Sequence, residues 1–394
     1  MLDMLYQWGE ALLRWTHVIA GIAWIGSSFY FIATDLSLRP GPALPQGVKG
    51  DSWQVHGGGF YHIQKYLVAP PHLPAELTWF KWEAYATWLF GFALLVLVYY
   101  VNPTLYLIDP TVAPLEPWQA VALGAGSLPL GWLIYHRLCR SPLGDSMGVL
   151  TWLGLALLMG AAALYLRLFG GRAAYLHLGV LTGSLMVGNV FFVIIPNQKK
   201  VVADLIAGRE PDPRLGAESK QRSVHNNYLT LPVVFLMLSG HYPMTFAGRH
   251  PGLVLVGIFA IGFLVRHFFN MRHGGTRPSW WLWPAAALVT IGLGLLTLPP
   301  GSGPTAAPAD FAEVQRIIAQ RCQVCHSAQP QFPGITEAPK GVMFDRPAEI
   351  LARAQDIRRQ VVILRAMPLN NLTGLEEDER AAIASWLAAG AKAD

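Results

Sequence analysis

Eight stretches of this chain are apolar for long enough to cross a lipid bilayer, and nothing else constrains its fold as tightly. They lie near residues 11–33, 85–101, 118–135, 148–168, 175–195, 228–244, 252–269 and 281–298. A hydrocarbon core about 30 Å thick takes about 20 apolar residues wound as a helix. The first run is too long for the core of a signal peptide and reads as a retained span. Only 13% of the 394 residues are charged, and the deficit ends near Pro300, where charges return at ordinary density. That shift predicts one domain in lipid and one in water. The fold class is therefore all-α: a polytopic transmembrane helical bundle of about eight helices over 1–298, a Pro/Gly-rich tether over 299–309, and a small helical domain over 310–394.

The charges that remain report topology. Arg39, Lys49, Lys65, Lys81, Arg137, Arg140, Lys199, Lys200, Arg209, Arg214, Lys220, Arg222, Arg272 and Arg277 all fall in odd-numbered loops, with Arg266 at a helix end. The even-numbered loops hold only Arg167, Arg172 and Arg249. The positive-inside rule puts the odd loops in the cytoplasm, and the N-terminus and the C-terminal domain in the periplasm of a bacterial inner membrane. Because the basic residues sit in short loops between apolar runs, the net charge of +5 does not indicate nucleic acid. The first loop is long and carries His56-Gly57-Gly58-Gly59-Phe60-Tyr61. A loop of that size without obvious structure, rich in aromatics and His, is expected to be functional.

Three cysteines do not make a disulfide framework. Cys139 is alone, and its plain reading is an unpaired thiol. Cys322-Gln323-Val324-Cys325-His326 has the C-x-x-C-H form of c-type haem attachment. Two thiols three positions apart reach the two vinyl groups of one porphyrin, and His326 then faces the iron. Met367, before Pro368, is the expected distal ligand, with Met343 as the alternative. A His/Met pair raises the iron potential, which suits an electron acceptor. Asp310 is expected to cap a helix from about Phe311, and a last helix is expected from about Glu376 to Ala389. A capped helix into C-x-x-C-H, a Met-Pro loop and a final helix with Trp386 together resemble class I cytochrome c. Covalent attachment of this kind takes place outside the cytoplasmic membrane, in agreement with the loop charges.

Ionisable residues in spans are costly and are by default functional. His17, His177 and His241 form an outer layer, candidates for axial ligation of a buried haem b. The bland reading is polar glue between helices. His17 is favoured because it lies about 9 Å in from the start of its run at 1.5 Å per residue. An inner layer holds Asn189, Asn197, Gln198, Lys199, His225, Asn226, Asn227, Tyr228, Arg266, His267 and Asn270, with Lys65 and Glu83 near. Each alone reads as helix capping or headgroup contact. Together they are donors that suit a planar, polar, weakly acidic molecule.

Five runs carry a family resemblance: His56 to Tyr61, Val187-Gly188-Asn189-Val190-Phe191-Phe192, Pro196-Asn197-Gln198-Lys199-Lys200, Val224-His225-Asn226-Asn227-Tyr228 and Arg266-His267-Phe268-Phe269-Asn270. They look like the bacterial membrane-bound urate hydroxylases, which join a urate oxidase N-terminal membrane domain to a cytochrome c domain. The resemblance implies oxidation of urate to 5-hydroxyisourate, with electrons leaving through haem c to a soluble cytochrome c or a terminal oxidase and no peroxide formed. The first helix, with His17, Gly21, Trp24 and Gly26, also looks like small haem-binding membrane oxidases of the protoporphyrinogen-oxidising type, which adds weight to a haem b. On this reading Asn189, Asn226, Asn227 and Arg266 hold urate, and His225 or His267 is the base. Two other functions fit the same features: a quinol:cytochrome c oxidoreductase, and a membrane anchor presenting a cytochrome to a partner dehydrogenase.

Overall fold

The computed structural model describes residues 2–67, 70, 74–298 and 309–393. Each of the eight apolar runs is helical over most of its length, although the sixth, near 228–244, leaves its helix at Leu238. The helices are α1 (Leu2–Ser37), α2 (Trp82–Tyr100), α3 (Pro117–Arg140), α4 (Met147–Leu168), α5 (Gly171–Ile206), α6 (Pro213–Leu238), α7 (Pro251–His273) and α8 (Leu282–Leu296). Five of them, α1, α2, α4, α5 and α7, are long and apolar enough to cross a membrane. Helices α3 and α6 have the length without the apolar window, and α8 is shorter at 15 residues. The outward faces carry Val18, Ile19, Ile22, Leu130, Leu133, Val256, Leu288 and Ile291, all exposed. Water would not tolerate a belt of that kind, and lipid does. Exposed Trp118, Trp152, Trp280 and Trp281 stand near helix starts, where amphipathic rings favour the headgroup region.

Helix α5 is the central one. Its residues Ala173, Ala174, Tyr175, Leu178, Leu181, Leu185 and Met186 are all buried. Lipid tails are as apolar as leucine, so close packing and hydrogen bonds, not hydrophobicity, hold such helices together. Gly179 supplies the packing on one side: a methyl group there would lie 3.0 Å from Leu236 Cβ on α6. Two spans contain a wide π-turn, Val96–Tyr100 in α2 and Asn189–Ile194 in α5. Such turns rotate the side chains that follow and are frequent at functional sites.

The first loop differs from expectation. Val48–His56 and Gly59–Tyr66 form an antiparallel hairpin, β1 and β2, with His56 opposite Gly59 and Trp53 opposite His62. Gly57 and Gly58 make the turn at φ of 58° and 80°, values that a two-residue hairpin turn demands and that glycine adopts without strain. The His56–Tyr61 run is therefore a turn and the start of a strand. One face of the hairpin is braced on α1: Gln54 donates to the Thr34 hydroxyl at 3.0 Å, Ser52 and Ser37 hydroxyls lie 2.9 Å apart, and Lys65 pairs with Asp35 at 2.6 Å. Lys65 is thus bound at the hairpin and does not join the inner polar layer.

The expected tether over 299–309 lies outside the described residues except for Ala309. The domain beyond it has its own core of Phe311, Val314, Ile317, Ile318, Phe344, Ile350, Ile357, Val361, Leu375, Ile383 and Trp386. Helix α9 (Phe311–Arg321) begins as expected, with Asp310 accepting from the Glu313 backbone N–H at 2.7 Å. Helix α10 (Glu377–Ala388) packs across it, with the Phe311 and Trp386 rings 5.6 Å apart. Arg321 on α9 grips Glu379 on α10 through two nitrogens and donates to the Thr373 carbonyl at 2.7 Å.

Candidate functional site

The inner polar residues sort into two clusters around α6. Successive residues on a helix point about 100° apart, so Asn226 and Asn227 serve different neighbours. Asn226 faces α5: its Nδ2 donates to the Met186 carbonyl at 2.9 Å, and its Oδ1 accepts from Asn189 Nδ2 at 2.9 Å. Asn189 is the first residue of the π-turn and is fully buried. Its Nδ2 also reaches the Tyr135 hydroxyl of α3 at 3.0 Å. Tyr135 in turn lies 2.7 Å from His225 Nδ1, while His225 Nε2 is buried with no partner among the described residues. Arg222, one turn before His225, stands over the Tyr135 ring at 5.1 Å.

Asn227 faces α7 instead, accepting from Asn270 Nδ2 at 2.9 Å. Arg266 donates to Asn270 at 3.3 Å and lies 4.0 Å over the Phe29 ring of α1. His267 belongs to neither cluster. Its Nδ1 is 2.9 Å from the Tyr228 hydroxyl, and its ring stacks on the exposed Phe263. The structure thus joins Asn189, His225 and Asn226 in one site, places Asn227 and Arg266 in a second, and sets His267 apart. Of the other inner residues, Asn197 is buried and donates to Glu218 at 3.0 Å, whereas Gln198 and Lys199 are exposed.

Sequence reasoning missed Tyr135, which lies in a run read only as a span, and Arg222, read as a cytoplasmic loop charge. Arg222 is instead fully buried. A signal was present: Arg222, His225 and Asn226 are spaced i, i+3, i+4, which is one helix face.

The outer layer is built round His177, which is fully buried on α5. Its Nδ1 lies 2.9 Å from the Ala173 carbonyl and its Nε2 lies 3.1 Å from the Tyr100 hydroxyl. Tyr99, Tyr165 and Phe169 close round the ring. Both nitrogens are committed, so His177 as placed does not fit iron ligation. His17 does. Its Nδ1 is 2.8 Å from the Thr87 carbonyl, which puts the proton there and leaves Nε2 for a metal. His241 is exposed on the short turn Ser239–His241.

In the C-terminal domain Cys322, Cys325 and His326 follow α9 within one turn, with the His326 N–H donating to the Cys322 carbonyl at 2.9 Å. His326 Nδ1 lies 3.0 Å from the Val342 carbonyl, so Nε2 carries the free lone pair, as a proximal iron ligand requires. Met367 packs against the domain core and its carbonyl accepts from buried Arg380 at 3.2 Å, whereas Met343 is exposed. Burial pushes the Cys322 thiol up to about 12 and raises Cys325 as well. These residues fit a covalently held haem.

This domain rests on the bundle at the end that carries His177. Asn370, three residues after Met367, donates to the Leu105 carbonyl at 3.0 Å. The next turn of that loop takes the Gly170 N–H on the Leu107 carbonyl at 3.2 Å, seven residues before His177. A cavity of about 290 Å³ between the two parts is lined by Met244, Arg249, His250, Leu296, Ile363 and Arg365. The polar clusters round α6 lie near the middle of that helix, and Asn189 lies near the middle of α5.

Neither a curated protein nor a solved structure matches the chain. A family model described as urate oxidase N-terminal matches residues 3–297, covering α1 to α8 and stopping short of the cysteine motif. The chain belongs to the urate oxidase N-terminal family.

Proposed function

We propose that this chain oxidises urate within the bundle and passes the electrons to a haem in its C-terminal domain. The observation that carries the reading is His225 Nε2, buried without a partner among the described residues beside Asn189 and Asn226, inside a urate oxidase family domain. For the urate monoanion the balance is urate plus water giving neutral 5-hydroxyisourate, one proton and two electrons. His225, with its proton on Nδ1 toward Tyr135, takes a proton from urate at Nε2. An imidazole suits that task near neutral pH. Asn189 and Asn226 fix the substrate amides, and Asn227, Arg266 and His267 line the approach. Water then adds at the ring carbon.

Cys322 and Cys325 hold the haem c covalently, His326 and Met367 ligate it, and it supplies one-electron acceptance at a raised potential. A haem b is also part of the proposal, with His17 as its ligand from this chain and no second ligand assigned. The loop charges support a substrate entry from the cytoplasm and a haem c domain in the periplasm, where a soluble cytochrome c or a terminal oxidase takes the electrons. An anaerobic absorption spectrum with and without urate tests all of this. The expected result is reduction of a c-type haem by urate in the absence of oxygen. A protein reduced by quinol and not by urate overturns it.

A further inference from the structure

Arg222 has no adequate partner among the described residues. It is 0% exposed, and its Nε and Nη2 are buried without a hydrogen bond. Its Nη1 has only a long contact, 3.5 Å, to Asn189 Oδ1. The nearest carboxylate oxygen, Glu218 Oε1, is 3.8 Å away. That carboxylate is already engaged, since Oε1 accepts from Arg140 at 3.1 Å and Oε2 from Asn197 at 3.0 Å. A guanidinium withdrawn from water is tolerated only when paired. A third buried donor without a partner, Trp132 Nε1, lies against Gly188, next to Asn189. The unmet demand at this spot is for acceptors with negative charge, one helical turn from His225.

We propose that Arg222 binds the anionic edge of the substrate, its fork taking a carbonyl oxygen and the deprotonated ring edge of urate. Urate is a weak acid and a monoanion at neutral pH. Its planar, adjacent acceptors match the fixed spacing of guanidinium donors, which a lysine cannot reproduce. The proposal rests on the urate reading above. It adds a residue to which the loop-charge pattern gives only a topological role. Arg222 then orients the purine so that a ring N–H meets His225 Nε2.

The test is equilibrium dialysis of radiolabelled urate against the purified full chain in detergent, with oxidation measured alongside. R222Q is expected to weaken urate binding about thirtyfold, the loss of a charge-assisted pair. R222K is expected to weaken it about fivefold, because the charge stays and the fork is lost. E218Q is expected to bind urate as wild type does, because Glu218, 3.8 Å away and engaged by Arg140 and Asn197, does not satisfy Arg222. An R222Q affinity equal to wild type overturns the proposal. So does an E218Q loss equal to that of R222Q, which is the signature of a purely structural tie. If R222Q does not fold, R222K decides: unchanged affinity overturns the proposal. A wild-type protein that oxidises urate while the Arg222 variants bind it normally sinks this inference alone. A wild-type protein that neither binds nor oxidises urate sinks both.

Discussion

The Tyr135 hydroxyl lies 2.7 Å from Nδ1 of His225, joining α3 to α6 at the heart of the polar cluster. Asn189 donates to the same hydroxyl from α5, so three helices meet on one oxygen. The tie fixes which imidazole nitrogen is free and where it points. Y135F keeps the ring and removes only the hydroxyl. It is expected to lower kcat about tenfold to a hundredfold with little change in KM, as loss of an outer-shell partner does. Steady-state kinetics on urate check this.

Of the two candidate bases, His225 sits in the cluster with Asn189 and Asn226, whereas His267 stacks on exposed Phe263. H225A is therefore expected to lose about 10²–10⁴ in urate turnover, the usual worth of a positioned base. H267A is expected to lose far less. Both should keep normal haem c staining. Equal losses in the two variants would place His267 in the chemistry as well.

Asn226 makes two bonds across the α5–α6 interface, one to the Met186 carbonyl and one from Asn189. N226A removes both of these bonds across the interface. In membrane proteins such interhelical bonds are worth about 0.6 to 1.7 kcal/mol. A thermal scan in detergent should show a lower Tm, and N226A should lose urate turnover at the same time. Unchanged stability would mean that water replaces the side chain.

The sequence was legible where lipid dictates it. Apolar runs of bilayer length can only be satisfied as helices here, and each of the eight is helical over most of its length. Hydropathy was blind to helix that is not apolar. Helix α6 begins at Pro213, well before the apolar run at 228, so Arg222 was assigned to a loop. The π-turn that presents Asn189 leaves no periodic mark, because it shifts the helical phase by one residue. The hairpin was readable in principle: Gly57-Gly58 separates two segments with Val, Trp, Phe, Tyr and Ile interleaved with polar residues, a known turn signal. The long loop length drew attention from it. In the C-terminal domain the cysteine motif and the Met-Pro loop carried the expectation of a haem and of Met367 over Met343, and burial, which spacing does not report, adds that Met343 is exposed while Met367 is half-buried.

Met367 and Met343 can be separated by spectroscopy. Met367 is half-buried against the core of its domain and Met343 is exposed. M367A is expected to retain covalent haem, lose a low-spin His/Met spectrum and fall in reduction potential, since thioether ligation raises it. M343A should leave both unchanged. Redox titration of the purified protein reads the difference, and a normal potential in M367A would remove Met367 from the iron.

Asn370 is the polar contact that seats the C-terminal domain on the bundle, through the Leu105 carbonyl at 3.0 Å. Its backbone is at φ 47°, a left-handed value, which asparagine accepts and glycine accepts more readily. N370G therefore removes the contact while relaxing the backbone, so any loss it causes comes from the interface and not from strain. If electrons reach Met367 and His326 across this seat, stopped-flow reduction of the haem by urate should slow in N370G, with urate affinity unchanged. N370A loses the same contact and adds strain at the left-handed position, so it should be slower still and less stable. A chain whose haem is reduced at the wild-type rate in both variants does not use this face. Its electrons would then enter the domain from a soluble partner, which a dependence of the rate on protein concentration would reveal.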